Sequence, residues 1–144
     1  MEENKTMKDR KGFTLIELMI VVVIIVALAS MVVPRLSGRT EQAKKAVAKA
    51  DISSNISMAL KLYELDNGNF PTTEQGLAAL ASSPSSAPVP NNWNGPYLET
   101  IPTDPWGNPY KYKCPGTNNK TTYDRYSVGK DGLEDTDDDI KNWK

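Results

Sequence analysis

The sequence predicts an α+β fold, one long N-terminal helix laid against a small antiparallel sheet, with a short second helix between them. Three patterns carry this. Residues 13–33 are apolar almost throughout, and Glu17 is their only ionisable member. From Arg35 to about Leu65, Ala43, Val47 and Ala50, then Ile52, Ile56, Ala59, Leu60 and Tyr63, recur at three- and four-residue steps, the spacing of one helix face. Further on, "PYKYKC" and "YDRYSV" each alternate with the period of two that a half-buried strand requires.

Composition narrows the function classes. The 144 residues are one domain's worth of chain, and 17 Lys and Arg against 18 Asp and Glu leave no basic surplus for nucleic acid. The absence of His removes His-based acid–base chemistry and His metal sites. Cys114, the one cysteine, cannot close an internal disulfide and reads as a small buried strand residue. The strong aliphatics are densest before residue 36, whereas the second half is rich in Asn, Gly, Pro, Thr and Tyr. If the apolar run sits in lipid, roughly 110 residues remain to form a small core, a size at which extra staples matter.

The 21 residues from Phe13 to Val33 would span roughly 30 Å as a helix, the thickness of a bilayer's hydrocarbon core. Lys8, Arg10 and Lys11 precede them, so the positive-inside rule places residues 1–12 in the cytoplasm and the rest on the other side. A cleaved secretory signal is the alternative, with Ala27-Leu28-Ala29 as its A-x-A site. Against it, the run continues through Met31-Val32-Val33, and a signal gains nothing from a carboxylate. A charge in mid-bilayer costs about 3 kcal/mol, less near the interface, so Glu17 calls for a partner.

"KGFTLIE" resembles the type III signal of the type IV pilin and pseudopilin superfamily: a basic leader ending in Gly, then Phe, then an apolar helix with Glu at its fifth position. The resemblance implies that prepilin peptidase cuts between Gly12 and Phe13 on the cytoplasmic side and N-methylates Phe13. It implies that Glu17 neutralises the Phe13 ammonium of a neighbouring subunit as helices stack in a filament. Translation from Met7 would give the shorter leader usual in that superfamily.

Pro34 follows the apolar run and is expected to kink the helix or melt a turn. Asp66-Asn67-Gly68 supplies the helix stop, Asn67 or Gly68 taking the left-handed cap. Arg39, Glu41, Lys44, Lys45, Lys49 and Lys61 read as its solvated sides. Thr72 with Gln75 forms a capping box for a second helix reaching Ala81. Ser82 to Asn94 reads as a loop, Trp106-Gly107-Asn108-Pro109 as a turn, and Pro115 to Thr122 as a hairpin loop. Tyr110, Tyr112 and Cys114 share one face of the first strand, Lys111 and Lys113 the other.

"YELDNGNFPTTEQGLAAL", "NGPYL" and "DPWGNPY" narrow the resemblance to the major pseudopilins of type II secretion systems. The chain is then expected to divide into a leader, 1–12, a transmembrane and filament-core helix, 13–33, and a periplasmic domain, 34–144. That domain would comprise an amphipathic helix half, 35–66, a loop and short helix, 67–94, and a sheet with a final loop, 95–144. The implied fold is pilin-like.

The end, "SVGKDGLEDTDDDIKNWK", holds six carboxylates within nine residues, Asp131 to Asp139. An acidic run is ordinarily a solvated tail, but Ile140 and Trp143 after it indicate packing, and packed acids repel unless a cation joins them. It is no EF-hand: Ile140 stands where the turn glycine belongs and the chain stops before the terminal Glu. Hard oxygen ligands without His or Cys point to Ca2+ in a structural role. "SxGxDG" followed by "DxDI" is similar to the pseudopilin calcium loop. Carried over by position, that implies side-chain ligands Asp131, Asp137 and Asp139 and carbonyls from Val128 and Leu133, in a loop about one residue short of the usual pattern.

The resemblance implies a structural subunit rather than an enzyme. It would wait in membrane lipid, then polymerise with its own kind and with minor pseudopilins into a periplasmic filament, driven by an inner-membrane assembly platform with its cytoplasmic ATPase. The filament would push folded proteins through the outer-membrane secretin. A type IV pilin forming a surface fibre is the alternative within the superfamily, though such pilins often close a loop with two cysteines. A secreted calcium-dependent hydrolase cut after Ala29 is the alternative among enzymes. The triplets at Asn55 and Asn119 match a glycosylation signal only at chance level.

Overall fold

The computed structural model describes residues 12–144, and the side chains of residues 32–37 lie outside the described residues. The leader residues Met1 to Lys11, with Met7 and the basic cluster, also fall outside. Two compact units are delimited, one reaching to Thr40 and the other spanning Glu41–Lys144.

In the first unit, α1 begins at Leu15, behind a capping box that the Thr14-x-x-Glu17 spacing announces. Thr14 N–H and Oγ1–H both donate to Glu17 Oε2 at 2.9 Å, and Glu17 N–H donates back to Thr14 Oγ1 at 3.3 Å. α1 runs Leu15–Ala50 without a break at Pro34, contrary to the expected melted turn. A proline removes one N–H from the ladder and crowds the carbonyl one turn back, a local loss that a 36-residue helix accommodates without ending.

The irregularity lies elsewhere. Asp51–Asn55 is a π-turn, in which Ile56 N–H reaches back to Asp51 O, before α2, Ile56–Asn67, resumes. Such a turn carries one residue more than an α-turn. The reason is the face that must be buried. Counted back from Ile56 at about 3.6 residues per turn, an uninterrupted helix would turn Lys49, Lys45 and Gln42 inward. The wide turn shifts that count by one and brings Ala48 there instead, with no exposed surface. Glu41 and Lys44, half-buried, follow on the same face. This corrects two expectations: Ala43, Val47 and Ala50 are exposed, and Glu41 and Lys44 are not simply solvated. Trp106 explains the second, because its indole N–H donates to the Glu41 carboxylate at 3.3 Å and its ring lies 6.0 Å below Lys44 Nζ. α2 ends as expected, with Gly68 left-handed at φ 79° and its N–H on Glu64 O at 2.7 Å.

The Thr72–Gln75 box is present, with Thr72 N–H on Gln75 Oε1 at 3.0 Å and Gln75 N–H on Thr72 Oγ1 at 3.2 Å. It opens no α-helix, because Gly76 turns left-handed at φ 59° and only a four-residue 3-10 segment, Leu77–Leu80, follows. The Gln75 amide instead holds the Ser82–Asn94 loop, donating to Ser86 O and Pro88 O at 2.9 Å each.

The sheet has three antiparallel strands in chain order, β1 Lys111–Lys113, β2 Asp124–Ser127 and β3 Ile140–Lys141. β3 comes from beyond the acidic run, so the tail packs down as Ile140 and Trp143 imply. The core joins Ile52, Ile56, Ala59, Leu60 and Tyr63 to Leu77, Ala79, Leu80, Tyr110 and Tyr123. Burying side chains the size of Ile56 or Leu60 stabilises by about 2–3 kcal/mol each. Tyr112 packs on this core from β1. Cys114, expected as a buried strand residue, is only half-buried and stands one residue past the strand, because its N–H is taken by Thr73 Oγ1 at 2.9 Å instead of a strand partner.

Candidate functional sites: a helix head and an acidic loop

At the N-terminal site, Gly12 and Phe13 precede the helix, and Phe13 is 87% exposed. The large apolar side chains from Leu15 to Met31 are each at least 47% exposed, on every side of the helix. A helix apolar all round must be covered by lipid or other helices. Among the described residues no helix is long and apolar enough to cross a membrane. The capping box shows what Glu17 does within one chain: its carboxylate satisfies Thr14. Thr14, the residue missed here, was signalled by the Thr-x-x-Glu spacing ahead of an apolar run.

The acidic loop joins β2 to β3. Gly129 and Gly132, at φ 66° and 71°, and Asp135, at 63°, turn it back on itself. A Cβ on Gly129 would stand 2.5 Å from Asp138 Oδ2, so only glycine lets that carboxylate approach. Asp138 Oδ2 accepts Lys130 N–H at 2.7 Å and Asp131 N–H at 3.1 Å. The Thr136 hydroxyl and then the Asp131 N–H hold the Asp138 carboxyl down to about 2.

The oxygens converge on one atom. Thr136 Oγ1 lies 2.7 Å from Asp138 Oδ1 and 3.4 Å from each of Asp131 Oδ1, Asp139 Oδ1 and Leu133 O. A hydroxyl has one hydrogen for these four acceptors, so it satisfies one at a time. Among the described residues no three carboxylates gather closely enough to hold an ion as the loop stands. The donor set is nonetheless all oxygen and mostly anionic, which fits a hard cation such as Ca2+ and suits no softer one. Of the expected ligands, Asp131, Leu133 and Asp139 join this group. Asp137 is exposed and makes no hydrogen bond or ion pair among the described residues, and Val128 is buried. Asp138 and Thr136 take part without having been assigned, because the carry-over followed the "DxDI" pattern and skipped its middle residue.

The loop is tied to the outer face of the sheet, where Lys111, Tyr126 and Lys141 stand in one cross-strand row. Lys111 Nζ pairs with Glu134 Oε1 at 3.0 Å, Tyr126 O–H donates to Glu134 Oε2 at 2.9 Å, and Lys141 Nζ reaches Asp139 Oδ2 at 3.2 Å. Burial and then the Glu134 bond push the Tyr126 hydroxyl up to about 12, so it stays a donor at neutral pH.

A bare apolar helix headed by Gly12-Phe13 and a small sheet domain in one chain define a pilin-like subunit. The match is specific at both ends. Residues 7–33 match the prokaryotic N-terminal methylation motif, and residues 35–143 match the family of type II secretion system protein G. The chain belongs to that family. It is 52% identical over 140 residues to the type II secretion system core protein G of Pseudomonas aeruginosa, covering 94% of this chain and 96% of that one. With the Aeromonas hydrophila core protein G it shares 49% over 137 residues, 94% of each chain. Among solved structures it resembles the major pseudopilin from the type 2 secretion system of enterohaemorrhagic Escherichia coli. There the TM-score is 0.67 at 40% identity, with 76% of this chain and 95% of that chain covered.

Proposed function

We propose that the chain is made as a precursor, cut by prepilin peptidase between Gly12 and Phe13, N-methylated on Phe13, and polymerised into the type II secretion pseudopilus. Before assembly it is a single-pass protein of the inner membrane with residues 1–12 cytoplasmic and its domain in the periplasm. Cutting ahead of the apolar run leaves the anchor in place and creates a new ammonium at Phe13, one turn from Glu17. In the filament Glu17 exchanges its Thr14 partners for the Phe13 ammonium of a neighbour. A charged pair is retained in an apolar core only where both partners are present, so the pair sets register as well as cohesion. The bare apolar helix of residues 13–31, headed by Phe13 and Glu17, is the observation that carries this reading.

Membership in the secretion family supports further proposed partners: minor pseudopilins, an assembly platform with its ATPase, and the secretin as exit. The role is structural, without catalysis. Ca2+ is the proposed staple of the acidic loop, held by Asp131, Asp139 and Leu133 O with Asp138 or Asp137, where it would neutralise carboxylates that otherwise repel. Gly12→Val tests the processing step. Mass spectrometry of the membrane fraction should find the uncut precursor and no methylated Phe13 terminus; a mature terminus from this variant would contradict the assignment.

A further inference from the structure

Away from both sites, one charge is buried where no carboxylate of the described residues pairs with it. Arg125, on β2, is fully buried, and its Nε and Nη1 have no hydrogen-bond partner among the described residues. No carboxylate forms an ion pair with it among those residues. Its guanidinium lies 5.4 Å from the Tyr123 ring centroid, and Nη2 donates to Ser57 Oγ at 3.2 Å. Asn142 clamps its backbone from both sides, with Arg125 N–H on Asn142 Oδ1 at 2.8 Å and Asn142 N–H on Arg125 O at 3.1 Å. A buried, unpaired guanidinium destabilises a small domain, and fixing register is the best attested use of such a group.

The contact it makes is at the π-turn. Ser57 Oγ lies 3.3 Å from Tyr123 O–H and 3.5 Å from Ile52 O, a carbonyl inside the turn. The other end of the turn is held as well, because Asp51 Oδ2 accepts Tyr110 O–H at 2.9 Å and Oδ1 accepts Asn55 Nδ2 at 2.7 Å. Upstream, Trp106 holds Glu41 and Lys44. The surplus residue is therefore trapped between two pinned stretches of one helix. The competing register is an uninterrupted α-helix, one residue or about 100° out of phase, which presents Lys49 and Lys45 where Ala48 and Lys44 now stand.

We propose that Arg125 is a positioning residue that, through Ser57 and Tyr123, holds the helix in the wide-turn register. The guanidinium grips the first turn of α2, and the turn before it absorbs the surplus residue. The device decides which side of residues 41–50 meets the sheet domain. It goes beyond the filament reading and does not depend on it.

The test is hydrogen–deuterium exchange by mass spectrometry on the full chain in detergent micelles, followed over residues 48–58. Arg125→Leu should speed exchange of the 51–57 amides at least tenfold while those of β1 to β3 change less than twofold. Ser57→Ala should do the same without touching the buried charge, and Arg125→Lys, which keeps one donor, should restore most of the protection. Deleting Ser54 removes the surplus residue. That variant should protect the segment as a plain α-helix, and adding Arg125→Leu to it should change nothing. Unchanged exchange at 51–57 in both Arg125→Leu and Ser57→Ala, or an equal rise across the strands, would overturn the proposal. So would a Ser54 deletion that leaves the segment as dependent on Arg125 as before.

Discussion

Asp124 shows how this domain keeps a buried carboxylate charged. It is 2% exposed, yet it accepts Asn118 N–H at 2.7 Å, Asn118 Nδ2 at 3.0 Å and Asn119 N–H at 2.8 Å. Burial alone would raise its pKa, but the converging N–H donors outweigh it and the net direction is downward. A group depressed in the fold contributes stability that is complete above its unfolded value, near 4, and fades as pH falls through the lower folded one. Asp124→Asn puts a second donor against those N–H groups, at a cost on the order of 1–3 kcal/mol for unmet donors. The melting temperature of the variant should lie below that of the parent at pH 7, and the two should converge below pH 4. A constant gap from pH 7 to pH 3 would contradict the assignment.

At the scale of elements, the acidic loop is where a ligand would act. Ligand binding to the folded state alone stabilises by about 3 kcal/mol at a hundredfold excess over the dissociation constant. Melting of the full chain in detergent should therefore rise in calcium and fall in chelator, and Asp131→Ala should lose most of the difference. Equal melting in both conditions would remove the metal. Much at this scale was legible in the sequence. The helix stop at Gly68, the Thr72 box, the strand faces and the packed tail all follow from short-range chemistry. The π-turn was not legible, because uniform helical counting has no place for a surplus residue, and apolar Val47 misled where half-buried Lys44, its Nζ over the Trp106 ring, takes the inward side. The oxygen group around Thr136 was missed in part for a similar reason: side-chain convergence depends on the left-handed turns at Gly129 and Asp135, which spacing does not reveal.

For the molecule as a whole, the two units divide the labour. The domain closes its own core, whereas the first unit leaves an apolar helix uncovered and a carboxylate that, among the described residues, is satisfied by Thr14 alone. In the proposed filament both would be covered by lipid or other copies, and Phe13 and Glu17 would find their remaining partners there. The methylation motif within residues 7–33 was readable because the residues that carry it are contiguous in the chain. The measurement that tests this most directly is a side-by-side assay of Glu17→Ala in cells carrying the secretion system, with processing read by mass and filaments by electron microscopy. We expect a normally cut and methylated Phe13 terminus with filaments reduced at least tenfold. Filaments of normal number and length would contradict the role of Glu17 in assembly.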